Sequence, residues 1–209
     1  MDLKVIKKMA YDLMAGKRSR PGKEKGNKYY HGERVATTVI ELRQNILPND
    51  ESYDEILIVS AWFHDIMNGE ENHAENGAEI VRGILSDYCS ELELNKIYKM
   101  IAEHDNRIHS SNEGNSYLKL LQDADLLDHY GISDIWINFL HYSSQDKAII
   151  HVLDYFQNKH YKDIEQDRKL LNYDISVRIF DEKCKFLHEF TNRLKYEGIG
   201  KIYNLNSLI

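Results

Sequence analysis

Apolar residues recur along most of this chain at intervals of three and four positions, which is the spacing of one face of an α-helix. No segment shows the convincing alternation of apolar and polar residues that is typical of a half-buried strand. The pattern predicts helices over about 30–46, 52–66, 74–87, 92–104, 117–127, 132–142, 145–159 and 174–197. The first residues, MDLKVIKKMAYDLMAG, also combine lysine with apolar residues at helical spacing. We therefore expect an all-α protein.

Two segments lack this periodicity and are expected to be loops. Residues 16–29 contain three glycines, a proline and many basic side chains, and residues 105–116 are polar and rich in turn-forming residues. The two prolines of the chain, Pro21 and Pro48, lie where helices should stop. Because no linker divides the 209 residues, a single domain over 1–209 is the simplest expectation.

Composition limits the classes of function. A hydrophobic fraction of 42% indicates a globular chain. A net charge of −7 argues against a protein that binds nucleic acids or anionic membranes in general. No apolar run is long enough for a membrane span. Cys89 and Cys184 match no metal or redox spacing, and two isolated thiols suit a reducing compartment. We therefore expect a cytoplasmic protein.

Histidines and carboxylates stand at the ends of several apolar helices. His31 opens one predicted helix, His64 and Asp65 close the next, His104 closes a later one, and Asp125 lies in a leucine-rich segment. Each residue alone is more often a helix cap or a surface residue, but an unpaired charge on a packed face is costly. A divalent cation is one efficient partner. Two histidines and two aspartates favour Mn, Fe, Co, Ni or Zn, with Mg possible, and leave positions open for water.

The ordered series HGERVA, AWFHDI, IAEH and QDADLLDHYG resembles the HD-domain superfamily of metal-dependent phosphohydrolases, especially its small bacterial single-domain members. The late segment NYDISVRIFDEKCKFLHEF resembles the closing helices of those proteins, so the likeness spans roughly residues 28–195. It implies an HD-like helical bundle with the metal site between core helices. The core would cover about 28–130 and the C-terminal helices about 131–198.

The resemblance also implies a set of metal ligands, namely His31, His64, Asp65 and Asp125. Asp123 and Asp128 match flanking polar positions and are expected to be caps or partners of ligands. His73 and His104 resemble positions that bind a second metal in some branches, in which case Asp65 could bridge two ions. Alternatively, His73 caps a helix and His104 contacts a substrate phosphate.

The implied reaction is hydrolysis of a phosphate ester or anhydride of a nucleotide or a similar small phosphorylated molecule. The catalytic candidates are Asp65, Arg34, His104 and Asp128, with Glu33, Asp105 or Asp128 as the general base. The candidate substrate-binding residues are Arg34, His104, Arg107, Arg18 and Arg20. The basic segment before His31 is either an anion funnel or an ordinary solvated loop. Neither a membrane nor a nucleic-acid partner is expected, and a homodimer is possible.

Two rival functions stay open. Some members of the superfamily carry a six-ligand di-iron site and act as oxygenases. Six residues of this chain could supply such a site, namely His31, His64, Asp65, His73, His104 and Asp125. A nucleotide-binding module without catalysis is the other rival, although the intact ligand set counts against it. Six further histidines match no ligand position and are expected at the surface or in packing, namely His109, His129, His141, His151, His160 and His188. Trp62, Trp136 and the tyrosines are expected mostly in the core.

Overall fold

The computed structural model describes residues 1–19, 22–107 and 115–204. These residues form helices joined by turns and loops, and they contain no strand. The helices are α1 Leu3–Met14, α2 Asn27–Ile46, α3 Asp54–Phe63, α4 His73–Leu85, α5 Glu91–Ala102, α6 Ser116–Asp128, α7 Ile132–Ser143, α8 Ile149–Asp154, α9 His160–Asp167 and α10 Asp174–Glu197. The all-α prediction is confirmed. Among the described residues, no helix is both long enough and apolar enough to cross a membrane.

The predicted and observed helices differ most after residue 145. A helix begins there only at Ile149, passes through a π-helical turn over Tyr155–Lys159, and continues as α9. The wider π turn disturbs the 3.6-residue period, so an extrapolated apolar stripe loses its phase at that point. For this reason the pattern predicted one helix over 145–159 and did not predict α9. The other predicted bounds lie within a few residues of the observed ones.

Most of the hydrophobic core is formed by residues of the six helices α1 to α6, together with Phe180 of α10. The C-terminal helices share a much smaller cluster of buried residues made of Val152, Phe156 and Leu187. Arg43 of α2 is 2% exposed and donates to Asp54 at the start of α3 over 2.5 Å. A buried guanidinium needs such a partner, so this pair fixes α2 against α3 within the larger core.

A close approach of α2 and α3 at Gly32 determines where the neighbouring His31 lies. A Cβ atom on Gly32 would stand 2.7 Å from the carbonyl oxygen of Ala61 and 2.8 Å from that of Trp62. Both contacts are with backbone, which cannot move aside without separating the two helices. Glycine at this position therefore lets the backbones touch, one residue from His31 and shortly before the end of α3.

Candidate metal centre

Three helices bring the four implied ligands to one point. His31 lies in the second turn of α2, His64 and Asp65 follow directly after α3, and Asp125 lies in the last turns of α6. The Nε2 atom of His31 is 3.1 Å from Nε2 of His64 and 3.2 Å from Oδ1 of Asp125. The Nε2 atom of His64 is 3.5 Å from the same carboxylate oxygen. Two imidazoles and a carboxylate thus converge within a buried space.

In three of the histidines, the second ring nitrogen, Nδ1, is hydrogen-bonded to another group of the protein. Nδ1 of His64 donates to the carbonyl oxygen of Ala61 over 2.9 Å, and Nδ1 of His104 donates to that of Ile101 over 2.7 Å. Because a carbonyl only accepts, a neutral ring here carries its lone pair on Nε2. Nδ1 of His31 is similarly paired with Oδ2 of Asp128 over 2.7 Å. This arrangement orients imidazoles as metal ligands.

Asp65 lies between two groups of histidines. Its Oδ2 atom is 3.9 Å from Nε2 of His31, while its Oδ1 atom is 3.9 Å from Nε2 of both His73 and His104. The side chain of Asn68 donates to Oδ2 over 2.6 Å. Oδ1 also lies 4.0 Å from Nε2 of His64, so it is near histidines of both groups, whereas Oδ2 faces His31. The carboxylate can therefore contribute an oxygen to either group, as a bridging ligand would.

The donor spacings fit divalent ions. Donors about 2.1 Å from one ion lie roughly 3.0–3.5 Å apart when adjacent and about 4.2 Å apart when opposite. Candidate donor atoms of His31, His64 and Asp65 lie within 4.8 Å of one another, and so do those of Asp65, His73 and His104. Two neighbouring groups with one shared carboxylate can accommodate one ion or two. The mixture of nitrogen and oxygen donors suits a first-row transition metal.

Burial and hydrogen bonding oppose each other in the pKa values of this cluster. Burial lowers the pKa of His31, but the hydrogen bonds to Asp125 and Asp128 outweigh it and raise the pKa to about 10. Burial would raise the pKa of Asp125, yet hydrogen bonds from His129, His31 and His64 hold it well below the usual range. Without a metal, His31 therefore carries a proton close to an ionised Asp125. A divalent ion would replace that proton.

The two predicted phosphate-binding arginines near the cluster hold carboxylates. Arg34 donates from Nε and Nη2 to the two oxygens of Asp128, both over 2.8 Å. Arg107 donates over 2.8 Å to Oδ2 of Asp125 and over 2.6 Å to the carbonyl oxygen of Gln122. These contacts position Asp125 directly and His31 through Asp128. A direct contact of either arginine with a substrate stays a prediction.

The three candidates for the general base differ in their surroundings. Glu33 pairs with Lys7 of α1 over 2.6 Å. Asp128 is occupied by Arg34 and by the ring of His31. Asp105 is 49% exposed, and its Oδ2 atom lies 3.9 Å from Nε2 of His73. Asp105 is therefore the candidate that is both open to solvent and next to the donor atoms.

A cavity of about 290 Å³ opens onto His31, Asp65 and Asp128. Its wall includes Lys23, Lys28 and Arg34, so cationic side chains border the donor cluster. Two of the four lysines in the basic segment before His31 thus contribute to the cavity. The two arginines of that segment differ. Arg18 donates over 2.7 Å to the carbonyl oxygen of Lys23, and Arg20 lies outside the described residues.

Three further residues have contacts that the sequence did not predict. His129 was expected at the surface or in packing, and its side chain is 52% exposed, but it also lies against Asp125 at the rim of the metal centre. Its spacing of four residues from Asp125 on α6 was the signal in the sequence. Trp136 was expected in the core, yet it is 53% exposed and donates to Glu24 over 2.9 Å. Asp123 accepts from the backbone N–H groups of residues 172 and 173, tying α6 to the start of α10.

The model of the HD domain family matches residues 29–130, which contain every donor described above. Residues 29–130 of this chain are therefore an HD domain. The expected family is thereby confirmed, and the matched region coincides with the larger core. No curated protein matches the chain significantly.

Several solved structures share the fold over nearly the whole chain. Bacillus subtilis YpgQ in complex with ADP is 16% identical, with a TM-score of 0.65 over 94% of this chain and 98% of that one. An HD-superfamily hydrolase from Bacillus thuringiensis is 19% identical, with a TM-score of 0.66 over 95% and 97%. A predicted HD-superfamily hydrolase from an uncultured Thermotogales bacterium is 21% identical, with a TM-score of 0.60 over 93% and 92%. At such identities the likeness establishes the HD fold.

Proposed function

We propose that this protein is a metal-dependent phosphohydrolase that cleaves a phosphate ester or anhydride of a nucleotide or a similar small phosphorylated molecule. The observation that carries the proposal is the convergence of His31 and His64 on one oxygen of Asp125, at 3.2 and 3.5 Å. The cluster is buried beside a cavity whose wall carries Lys23, Lys28 and Arg34 among several carboxylates, and these cations support binding of an anionic substrate. A bound divalent ion would polarise a phosphoryl oxygen and activate water there.

The residues of the chain have separate tasks in this proposal. His31, His64, Asp65 and Asp125 would hold the ion, and the outer contacts of Asp128 with His31 would keep that ring fixed. Lys28 donates to the carbonyl oxygen of Ile66 over 3.0 Å and lines the cavity, so its charge faces the space where a phosphate would bind. Burial lowers the pKa of Lys28, and a bound anion would oppose this shift by stabilising the charged ammonium.

A nucleotide is the proposed substrate class for two reasons. The cavity wall carries several side chains that can bind phosphate oxygens, including Lys23 and Lys28. In addition, YpgQ, which shares the fold, has been crystallised in complex with ADP.

The additional donors His73 and His104 support a second candidate, a di-iron oxygenase. Asp65, His73 and His104 form a group beside the first one, so six side chains are available for two ions. The same arrangement would suit two-metal phosphoryl transfer. Which metal is bound, and whether oxygen is consumed, separates the two candidates.

The decisive experiment measures metal content and reaction products together. The full chain is purified without chelators, its metals are quantified, and Mn²⁺ or Co²⁺ is added before incubation with a panel of nucleotides. Phosphate or pyrophosphate release that depends on metal, and that is lost in Asp65→Ala, is the expected result. Two irons per chain with oxygen uptake would instead favour the oxygenase. Failure to bind Mn²⁺ or Co²⁺ at all would contradict both candidates.

A further inference from the structure

His129 stands at the tip of α6, four residues after Asp125 and thus on the same helix face. Its Nε2 atom is 3.3 Å from Oδ1 of Asp125, and its ring centroid is 5.1 Å from that of His31. The chain leaves the helix direction at once, because Gly131 adopts a φ of 78°. The side chain is therefore at a helix end beside the cavity, where it is free of tight packing and 52% exposed.

Three imidazoles approach the same carboxylate oxygen. Oδ1 of Asp125 lies 3.2 Å from His31, 3.5 Å from His64 and 3.3 Å from His129, measured to Nε2 in each case. The other oxygen of Asp125 is taken by Arg107. The approach of His129 is thus as close as that of the two histidines that the family pattern assigns as ligands. Its position differs from theirs chiefly in exposure, because its side chain is 52% exposed while those of His31 and His64 are 9% and 1% exposed.

These spacings are those of donors around one ion. Adjacent donors on an ion with bonds of about 2.1 Å are separated by roughly 3.0–3.5 Å. Candidate donor atoms of His31, Asp125 and His129 all lie within 4.8 Å of one another. We propose that His129 is an additional nitrogen ligand of the ion held by His31 and Asp125. The inference rests on the metal site of the proposed function, but not on the reaction assigned to it.

This role would change what the metal can bind. The set His31, His64, Asp65 and Asp125 leaves positions open on a six-coordinate ion, and His129 would fill the one facing the cavity. A nitrogen in that position reduces the number of sites left for water or a phosphate oxygen. It also adds an imidazole to a site with two carboxylates, which favours softer ions such as Co²⁺, Ni²⁺ or Zn²⁺ over Mg²⁺.

The test is a titration of the metal-free full chain with Co²⁺, followed by the visible absorption of the ion. His129→Ala is compared with the unchanged chain and with His188→Ala, which alters an exposed histidine on α10. Repeating the comparison with His104→Ala restricts the signal to the first ion. His129→Ala is expected to weaken Co²⁺ binding about tenfold or more, since even outer partners of ligands contribute that much. It should also alter the absorption bands, and His188→Ala should alter neither.

The other outcomes separate a failure of the inference from a failure of the proposed function. Unchanged affinity and absorption in His129→Ala would show that the residue does not bind the ion. Weaker binding with unchanged absorption would mean that His129 only orients Asp125. If the unchanged chain binds no Co²⁺, the metal site of the proposed function fails as well. If it binds Co²⁺ through His129 but hydrolyses no phosphate compound, the proposed function alone is contradicted.

Discussion

Two buried histidine–aspartate clusters within the described part of the chain differ in their arrangement, and one of them has the geometry of a metal site. In the metal centre, His31 and His64 converge on Asp125. In the second cluster, Nε2 of His160 is 2.5 Å from Oδ2 of Asp134, which joins α9 to α7. Both clusters are shielded from solvent and both combine an imidazole with a carboxylate. Burial and residue type therefore do not distinguish them.

The difference lies in the number of nitrogens that meet at one point. His160 brings a single imidazole, which stacks between Tyr130 and Tyr155 at ring-centroid distances of 5.5 Å. Asp134 also accepts from the side chain of Asn138 over 2.6 Å, so its carboxylate is satisfied by protein donors. In the metal centre, by contrast, imidazoles are crowded around one oxygen, an arrangement that protein hydrogen bonds alone do not require. Convergence of donors identifies the site.

The largest expected difference comes from the same substitution in both clusters. Asp125→Asn removes the charge on which the imidazoles converge, so we expect metal binding to fail and hydrolysis to fall by about a thousandfold, the scale of a lost electrostatic stabiliser. Asp134→Asn should keep the metal and the activity but lower the free energy of unfolding by about 1–3 kcal/mol, as for a damaged buried hydrogen bond. Metal analysis, nucleotide hydrolysis and chemical denaturation measure the three quantities. Metal loss in Asp134→Asn, or its retention in Asp125→Asn, would break the comparison.

The sequence predicted the members of the metal centre better than their surroundings. His31, His64, Asp65 and Asp125 each stand in a short motif, and helical spacing places each one at a helix end or on a packed face. The pairing of Arg34 with Asp128 joins residues 94 positions apart, and helix periodicity carries no information about such a contact. It depends on the close crossing of α2 and α3 and on the packing of α6 against α2.

Two other features show how the sequence signal is lost or overlooked. The π turn before His160 changes the helical phase, so the pairing of that residue with Asp134 was invisible in the apolar pattern. His129, however, stood four residues after Asp125, and this spacing on a helix was available in the sequence. It received less weight because the family pattern has no ligand at that position. Local geometry and family resemblance thus supply different parts of a site.

The second donor group permits a more selective change. His104→Ala removes one of the two imidazoles of the second donor group, a ring whose Nε2 atom lies 3.9 Å from Oδ1 of Asp65, while His31 and His64 remain. If two ions bind, the variant should retain only about one per chain, and its activity should fall by about one to two orders of magnitude, within the range for a lost metal partner. Metal content at saturating Mn²⁺ is the measurement. An unchanged content of two ions would remove His104 from the ligand set, and a thermal melt checks that the variant is folded.

Proton exchange should distinguish a metal centre from a purely structural pair. Because the pKa of His31 is raised to about 10 in the metal-free protein, binding of an ion at pH 7 must release that proton. Metal affinity should therefore rise with pH between 7 and 9, by up to about tenfold per unit for one proton. The stability of the metal-free protein should change with pH in the opposite direction. The contribution of protonated His31 to stability is complete below about pH 6.5 and is lost as the pH rises toward 10.

Calorimetric titration in buffers of different ionisation enthalpy counts the protons released, and thermal melts of the metal-free protein follow stability over the same range. A matched titration of Asp134→Asn should release the same number of protons, since that pair lies outside the centre. Metal binding without proton release would contradict the assignment of His31 as a protonated ligand position.

The smallest expected effect concerns the outer contact of the metal centre. Arg34 grips both oxygens of Asp128, and a lysine cannot reproduce two parallel hydrogen bonds. Arg34→Lys should keep the charge but loosen Asp128 and the ring of His31, weakening metal binding by roughly tenfold or less. If Arg34 acts only through Asp128, KM for the substrate should be unchanged once metal is saturating. A raised KM under those conditions would instead mean that Arg34 contacts the phosphate itself, as the sequence first suggested. Arg168→Lys is the matched control. Arg168 also donates two hydrogen bonds to one carboxylate, that of Asp181 on α10, and this pair lies away from the donor cluster.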